Sequence, residues 1–276
     1  MPKVAVAVIH GIGSQANKRP AVSDERTFSD RLYKKLRGQL GRRVMKNDVA
    51  WREIFWADIL QDRQDAYLKA ITDKVSVGKI RRLLVQNFAD ALAFSRRGTA
   101  YQDLQKRIRS TVADLSHDCG PATPLVILAH SFGGRIMSNY IWDLQQGLFR
   151  YQNDFENLQT TARFVTFGCN LPLFTFSFPA EEVEPIAFPG TALPDALVQE
   201  PWWINYLDPQ DLLAYPIAPI GPKYLELERS GGLRDVTINV GGPLKSWNTL
   251  SHDEYWSSRQ FYRPVGDMLQ RILDLA

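Results

Sequence analysis

The sequence has few of the residues that cross-link small proteins or bind structural metals. Only two cysteines, Cys119 and Cys169, and four histidines occur among its 276 residues. Two cysteines make no disulfide framework. No Cys-x-x-Cys pair occurs, and no two histidines lie within one helical turn of each other, so the spacing of a zinc site is missing. We therefore expect a reduced, cytoplasmic protein without a structural metal.

Long apolar segments and a strong excess of one charge are also missing. No run of about 18 apolar residues is present, so we expect no membrane-spanning helix. The apolar run Val4–Ile9 enters a glycine turn rather than a cleavage site, which predicts a buried strand and not a signal peptide. A net charge of +3, from 33 basic and 30 acidic residues, is too mild to indicate nucleic-acid binding.

Local basic pairs are the one charged feature that stands out. Arg81-Arg82 and Arg96-Arg97 are typical of a solvated helix face. They leave open a peripheral contact with an anionic membrane surface, since clustered arginines attract anionic lipids.

Apolar runs alternate with segments of helical spacing along the chain. The predicted strands are Val4–Ile9, Val49–Trp56, Pro124–Ala129, Arg163–Phe167, Trp203–Leu207 and Val236–Val240. The predicted helices are Ser23–Leu40, Tyr101–Leu115, Arg135–Leu148 and Phe261–Leu275. This alternation predicts a single α/β domain over residues 1–276, with a mostly parallel sheet and helices on both faces.

Two segments depart from the alternation. Residues 58–97 have a mainly helical pattern, which predicts a small helical cap or an enlarged crossover. Residues 171–200 contain five prolines, which exclude one regular helix. This second segment is predicted to be an irregular excursion, either a wall over a pocket or a structural loop whose phenylalanines pack on the sheet.

The most informative motif is Ala129-His130-Ser131-Phe132-Gly133-Gly134, which follows a short buried strand and precedes a helix. A sharp strand-to-helix turn presents a serine hydroxyl to substrate and base, and it requires small residues two positions before and after the serine. Here these are Ala129 and Gly133. The motif predicts that Ser131 is a nucleophile. The alternative is an ordinary junction at which Ser131 caps the helix.

A loop that suits an oxyanion site follows the first strand, with the sequence His10-Gly11-Ile12-Gly13. The two expected donors are the amide of Phe132 and an amide of Gly11 or Ile12, because glycine allows close approach of the backbone to substrate. A competing interpretation is a dinucleotide fingerprint over residues 11–16, with Asp58 as the ribose ligand. That fingerprint needs a helix at once, whereas Asn17-Lys18-Arg19-Pro20 predicts a loop.

Elimination among the histidines indicates the base. His10 and His130 flank glycine turns and are predicted to be structural or to line the pocket. His117 precedes the central strand, at the opposite edge of the sheet from Ser131. His252 follows the last predicted strand and precedes the last helix, so its loop can reach the serine.

The acid that orients the base is expected after a strand between Ser131 and His252. The strand Trp203–Leu207 is followed by Asp208-Pro209-Gln210-Asp211. Asp211 is the favoured acid and Asp208 the alternative; the other aspartate would then form the turn, as Asp before Pro often does.

The order serine, acid, histidine resembles that of the α/β-hydrolase superfamily, on its lipase and esterase side. The resemblance extends over nearly the whole chain and includes the loop after the first strand, the serine turn, Val165-Thr166-Phe167-Gly168, the acid loop and Ser251-His252. The step Gly168-Cys169-Asn170 departs from the Gly-Ser-Pro step of triacylglycerol lipases.

The resemblance implies a carboxylesterase or lipase that needs no cofactor and acts on a small-molecule or lipid ester. Trp202, Trp203 and the phenylalanines between residues 174 and 188 are candidates for an apolar acyl pocket, with core packing as the alternative. Two other functions stay open: hydrolysis of an amide or thioester on the same fold, and a binding protein that keeps the fold without turnover.

Overall fold

The computed structural model describes residues 1–11, 25–59, 69, 98–240 and 249–276. Within these ranges, six parallel strands form one sheet in the order β2-β1-β3-β4-β5-β6. The strands are β1 (Val4–Ile9), β2 (Val49–Ile54), β3 (Leu125–His130), β4 (Thr161–Phe167), β5 (Trp203–Leu207) and β6 (Leu233–Thr237). The predicted α/β class and parallel sheet are confirmed.

α-Helices separate successive strands except β4 and β5, whose connection contains only 3₁₀ helices. The α-helices are α1 (Asp30–Leu40), α2 (Arg42–Asn47), α3 (Thr99–Cys119), α4 (Phe132–Gln145), α5 (Pro222–Arg229) and α6 (Arg259–Leu275). The short helices α2 and α5 were not predicted, because neither is long enough for a clear apolar period. Most of the predicted helical segment 58–97, including both arginine pairs, lies outside the described residues.

Helices cover both faces of the sheet. Successive residues of β1 alternate between two hydrophobic cores: one contains Val4, Val6 and Val8, the other Ala5, Ala7 and Ile9. The first core is closed by α1 and α6, the second by α3 and α4. Every residue of β1 is fully buried. Such burial on two faces explains the continuous apolar runs of the central strands.

The predicted last strand is wrong by about three residues. We expected Val236–Val240, but β6 comprises Leu233–Thr237 and pairs with β5. The apolar pattern misses this strand because it contains Asp235. The Asp235 carboxylate accepts hydrogen bonds from the Asn205 side chain and from the amides of Ile217 and Ala218.

The start of α1 is also later than predicted. Ser23 lies outside the described residues, and the described segment before Asp30 is not helical. There the Glu53 carboxylate accepts hydrogen bonds from the amides of Thr27, Phe28 and Ser29. A residue 24 positions along the chain thus holds these amides outside the helix, which no local pattern indicates.

The proline-rich segment 171–200 is irregular, as its composition predicts. It contains two short 3₁₀ helices, Leu171–Phe174 and Asp195–Leu197, joined by turns. Both cysteines are free and buried.

Candidate active site

The site lies at the point where the sheet reverses its strand order. The chain passes from β1 outward to β2 and later returns to β3 on the other side of β1. In parallel sheets, ligands bind outside the carboxyl ends of the strands at such a switch point. Gly11 follows β1 and Ser131 follows β3, so the two loops predicted from the sequence meet at this edge.

Ser131 has a strained backbone. It lies between β3 and α4 with φ 55° and ψ −126°, a conformation uncommon for a residue with a side chain. Its amide donates to the Phe167 carbonyl at 2.9 Å. Gly133 explains why small residues are needed: a Cβ there would lie 2.8 Å from the His10 carbonyl oxygen. Strain of this kind is concentrated at functional sites.

Gly11 lies directly against the serine. A Cβ at this position would be 2.4 Å from the Ser131 Cβ and 2.8 Å from its Oγ, so a side chain here would displace the hydroxyl. The backbone of the loop after β1 therefore lies in direct contact with the Ser131 side chain. Phe132 begins α4, whose N-terminus carries partial positive charge beside the serine. The other candidate donor, Ile12, lies outside the described residues.

Ser131, His252 and Asp211 form one continuous hydrogen-bond chain. Oγ of Ser131 lies 2.8 Å from Nε2 of His252, and Nδ1 of His252 lies 2.7 Å from Oδ2 of Asp211. All three residues are buried, with 4, 7 and 4 % of their surface exposed respectively. Since a carboxylate only accepts, Nδ1 donates to it, and Nε2 is left to accept the proton of the serine.

The two aspartates of the acid loop have different partners. Asp211 accepts the amide proton of Leu213 with Oδ1 and faces His252 with Oδ2. Asp208 accepts hydrogen bonds from the amides of Gln210 and Val240 at 2.9 and 2.8 Å. It therefore stabilises the turn after β5 and holds the segment that directly follows β6. The acid favoured by the sequence is the one in contact with the histidine.

Tyr255 links the two aspartates and was not recognised from the sequence. Its hydroxyl oxygen accepts a hydrogen bond from the Asp208 amide at 2.8 Å. The hydroxyl also hydrogen-bonds with the Asp211 carboxylate, and burial raises the pKa of Tyr255 well above its ordinary value, so it stays a donor. The signal available in the sequence was its place three residues after His252, one turn along the chain.

His10 holds the loop after β1. Its Nδ1 donates to the Gly11 carbonyl at 2.5 Å, and its ring stacks on Trp56 with centroids 5.2 Å apart. Burial lowers the pKa of His10 to about 4, so the ring is neutral at pH 7. His10 is thus a structural part of the site, one of the roles expected for it.

His130 and Gly168 pack against His252. Nε2 of His130 donates to the His252 carbonyl at 2.9 Å, and the two rings lie 4.7 Å apart. Burial lowers the pKa of His130 well below its ordinary value, and the nearby His252 lowers this pKa further by a smaller amount. A Cβ on Gly168 would lie 3.1 Å from Cε1 of His252, so this glycine gives the imidazole its room.

Trp202 and Trp203 belong to the core. Trp203 is fully buried and its Nε1 donates to Thr166 Oγ1 at 3.2 Å, while Trp202 packs against Phe188. Both lie at the start of β5, away from the edge that carries Ser131. Of the two alternatives for this pair, the burial of both side chains supports core packing.

Other apolar side chains are exposed on loops that extend from the site. Phe174 contacts the ring of Phe132, the residue after the serine, at 5.4 Å between centroids. Beyond it, Phe176 and Phe178 are 75 and 61 % exposed, and Leu212, next to the acid, is 74 % exposed. Phe174, Phe176 and Phe178 are among the candidates that the sequence offered for an apolar acyl pocket, and that role stays a prediction. Leu212 was not proposed for the pocket.

Asp58, the candidate ribose ligand of the dinucleotide interpretation, forms an ion pair with Arg107 at 3.0 Å. Of the fingerprint itself, only Gly11 is described. No group of three or more His, Cys, Asp or Glu side chains is placed to bind a metal within the described part of the chain. No helix in that part is both long and apolar enough to cross a membrane.

The sequence was also compared with models of protein families and with curated proteins. Neither comparison gives a match, so the interpretation of the site depends on its own geometry.

Proposed function

We propose that this chain is a serine hydrolase of the α/β-hydrolase type that cleaves a carboxylic ester through an acyl-enzyme. The observation that carries the proposal is the hydrogen-bond chain from Ser131 through His252 to Asp211, built on a strained strand-to-helix turn. A serine hydroxyl is a weak nucleophile until an adjacent base accepts its proton.

In the first half of the reaction, Oγ of Ser131 attacks the acyl carbon while its proton passes to Nε2 of His252. The resulting oxyanion is stabilised by the amide of Phe132 and by a second amide from the loop of Gly11 and Ile12. His252 then gives its proton to the leaving alkoxide, and the carbon–oxygen bond to the alcohol breaks. Asp211 holds the imidazole and stabilises its charged form.

In the second half, His252 removes a proton from water, and the hydroxide attacks the acyl carbon of the Ser131 ester. Collapse of this second tetrahedral intermediate breaks the bond to Oγ, which takes the proton back from His252. The acid is released and the enzyme is restored. Every proton is accounted for by Ser131, His252 and water, so the mechanism requires no metal or organic cofactor.

The exposed side chains beside the site favour an apolar substrate. Phe176, Phe178 and Leu212 are all large and exposed; Phe174 connects the loop of the two phenylalanines to Phe132, and Leu212 follows Asp211. Exposed apolar patches rimmed by polar residues mark binding surfaces. An ester with an apolar acyl or alcohol group is therefore the proposed substrate, and a lipid ester is one member of that class.

A panel of model substrates tests the reaction class. We expect the wild type to hydrolyse 4-nitrophenyl esters faster than the matching thioesters and anilides, with a preference for longer acyl chains. Ser131→Ala is the control and should reduce ester hydrolysis on the order of 10⁴-fold or more. Faster cleavage of the thioester or anilide would replace the ester assignment, and equal rates for wild type and Ser131→Ala would contradict the proposal.

A further inference from the structure

A groove of about 510 Å³ lies on one face of the sheet, separate from the loops of the candidate active site. It is bounded by β4, β5, β6 and α6 and lies on the side where Val6 and Val8 of β1 are buried. β6 is the last strand of the sheet, and its residues on this side, Arg234 and Val236, are not fully buried.

Three arginines line this groove, and each comes from a different element. Arg163 belongs to β4, Arg234 to β6 and Arg271 to α6. Arg163 is only 5 % exposed, whereas the other two are exposed. A lone arginine on a surface is ordinary, but three that converge on one groove from distant parts of the chain are not explained by a solvated helix face.

The buried arginine has only neutral hydrogen-bond partners. Its guanidinium donates to the Ala162 carbonyl at 2.5 Å and to the Gln199 side-chain oxygen at 2.9 Å. Within the described residues, no carboxylate oxygen lies within 4.0 Å of a guanidinium nitrogen of Arg163, Arg234 or Arg271. A buried charge is normally paired, because its desolvation costs several kcal/mol.

The acidic residues of the groove do not neutralise it. Glu200 and Asp267 line the groove and offset part of its positive charge, and Asp267 accepts a hydrogen bond from Gln39 at 2.8 Å. Three positive charges against two negative charges leave the groove positive.

The arginines are close enough to affect one another and Tyr206. Burial and the charge of Arg271 lower the pKa of Arg163 to about 10, so Arg163 still carries its charge at pH 7. Burial raises the pKa of Tyr206 to about 12, and Arg271 and Arg234 act against that rise. The Tyr206 hydroxyl therefore remains protonated among the arginines and is available as a further donor.

We propose that this groove, defined by Arg163, Arg234, Arg271 and Tyr206, binds the phosphate group of an anionic ligand. Guanidinium groups match the geometry of phosphate oxygens and form paired, charge-assisted hydrogen bonds with them. Ile204, Val236 and Met268 add an apolar wall beside the charge. The ligand class is a phosphate ester with an apolar part, either a soluble phosphate monoester or the headgroup of an anionic phospholipid.

Two probes separate these sources. Isothermal titration with inorganic phosphate, against chloride at equal ionic strength, measures the site for the phosphate group alone. Co-sedimentation with phosphatidylcholine vesicles, with and without phosphatidic acid, measures the lipid headgroup. Binding of both phosphate and the phosphatidic acid vesicles indicates a lipid source, and binding of phosphate alone indicates a soluble ester.

The test variant is Arg234→Gln/Arg271→Gln, because both side chains are exposed and their loss leaves the core intact. We expect it to weaken binding at least about tenfold, a change of about 1.4 kcal/mol. Arg229→Gln, an exposed arginine at the end of α5 and outside the groove, is the matched control and should bind as the wild type does. If the wild type bound neither phosphate nor the phosphatidic acid vesicles, the proposal would be overturned. Equal binding by the double variant and the wild type would do so as well.

Arg163→Gln tests the buried member, provided that its thermal unfolding remains cooperative. We expect it to weaken the binding of whichever probe the wild type takes up. Because Ser131→Ala leaves the groove intact, that variant should bind as the wild type does, and the groove is then distinguished from the candidate active site.

Discussion

Buried polar groups have different kinds of partner in the candidate active site and in the arginine groove. At the site, each member of the Ser131–His252–Asp211 chain has its partner within the protein. In the groove, the partners of the Arg163 guanidinium among the described residues are neutral. A complete network can move a proton internally and suits a neutral substrate, whereas an uncompensated cation suits a ligand that brings negative charge. This difference is the reason why we propose a different kind of ligand for each of the two places.

The two regions also differ in how they are built. The site collects residues from loops at the carboxyl ends of strands, where parallel topology places them together. The groove collects residues from the face of β4 and β6 and from the side of α6. Consequently the site is signalled by motifs in the sequence, and the groove is not.

The largest expected effect on kcat comes from the acid loop, where Asp211 contacts the histidine and Asp208 does not. Asp211→Asn should lower kcat on the order of 10⁴-fold, because an amide nitrogen facing Nδ1 favours the wrong tautomer of His252. Steady-state kinetics on the ester selected by the substrate panel provide the measurement.

The matched control is Asp208→Asn, one turn away and equally buried. Asp208 contacts backbone amides and not the histidine, so its substitution should change kcat by less than about tenfold while lowering stability by about 1 kcal/mol. If Asp208→Asn were the more damaging to kcat, the assignment of the acid would be reversed.

A smaller expected effect is the pH dependence of the free energy of unfolding, to which the candidate active site contributes through His10 and the arginine groove does not. His10 has a folded pKa of about 4, below the value of about 6.5 expected in the unfolded chain. As pH falls, the unfolded chain therefore binds the proton first, and stability declines between about pH 6.5 and pH 4. From pH 7 to pH 5 this residue alone should remove about 2 kcal/mol from the free energy of unfolding.

Urea unfolding at the two pH values checks this. His10→Asn keeps a donor for the Gly11 carbonyl but cannot titrate, so its loss of stability should be smaller than that of the wild type by about 2 kcal/mol. His117→Asn, at a side chain that is 92 % exposed, is the control and should lose as much stability between the two pH values as the wild type. An unchanged pH slope in His10→Asn would show that His10 is not held neutral. The groove arginines stay charged over this pH range and do not contribute to the slope.

Much of the fold could be predicted because its central strands are buried on both faces. Val4–Ile9 and Trp203–Leu207 have in the structure the bounds that the apolar runs indicate. The serine turn could be found because its steric demands leave a mark at Ala129 and Gly133. His252 followed from elimination among four histidines. Asp211 was favoured over Asp208 because it lies one turn beyond the strand and precedes the apolar pair Leu212-Leu213.

Other features depend on contacts between distant residues and leave no local signal. β6 was misplaced because Asp235 has partners on β5 and on the loop near Ile217. Glu53 similarly delays the start of α1. The arginine groove joins residues 163, 234 and 271, which are separated by 71 and 37 positions. Apolar periodicity and short motifs contain no information about such contacts.

The most direct test of the central claim is intact-mass analysis after treatment with a fluorophosphonate probe, which reacts with activated serines. The account predicts a single adduct on the folded wild type, none on Ser131→Ala and a weakened one on His252→Ala. Arg234→Gln/Arg271→Gln should be labelled like the wild type, since its changes lie outside the site. Absence of an adduct on the folded wild type would contradict an activated Ser131 and leave the binding-protein alternative in its place.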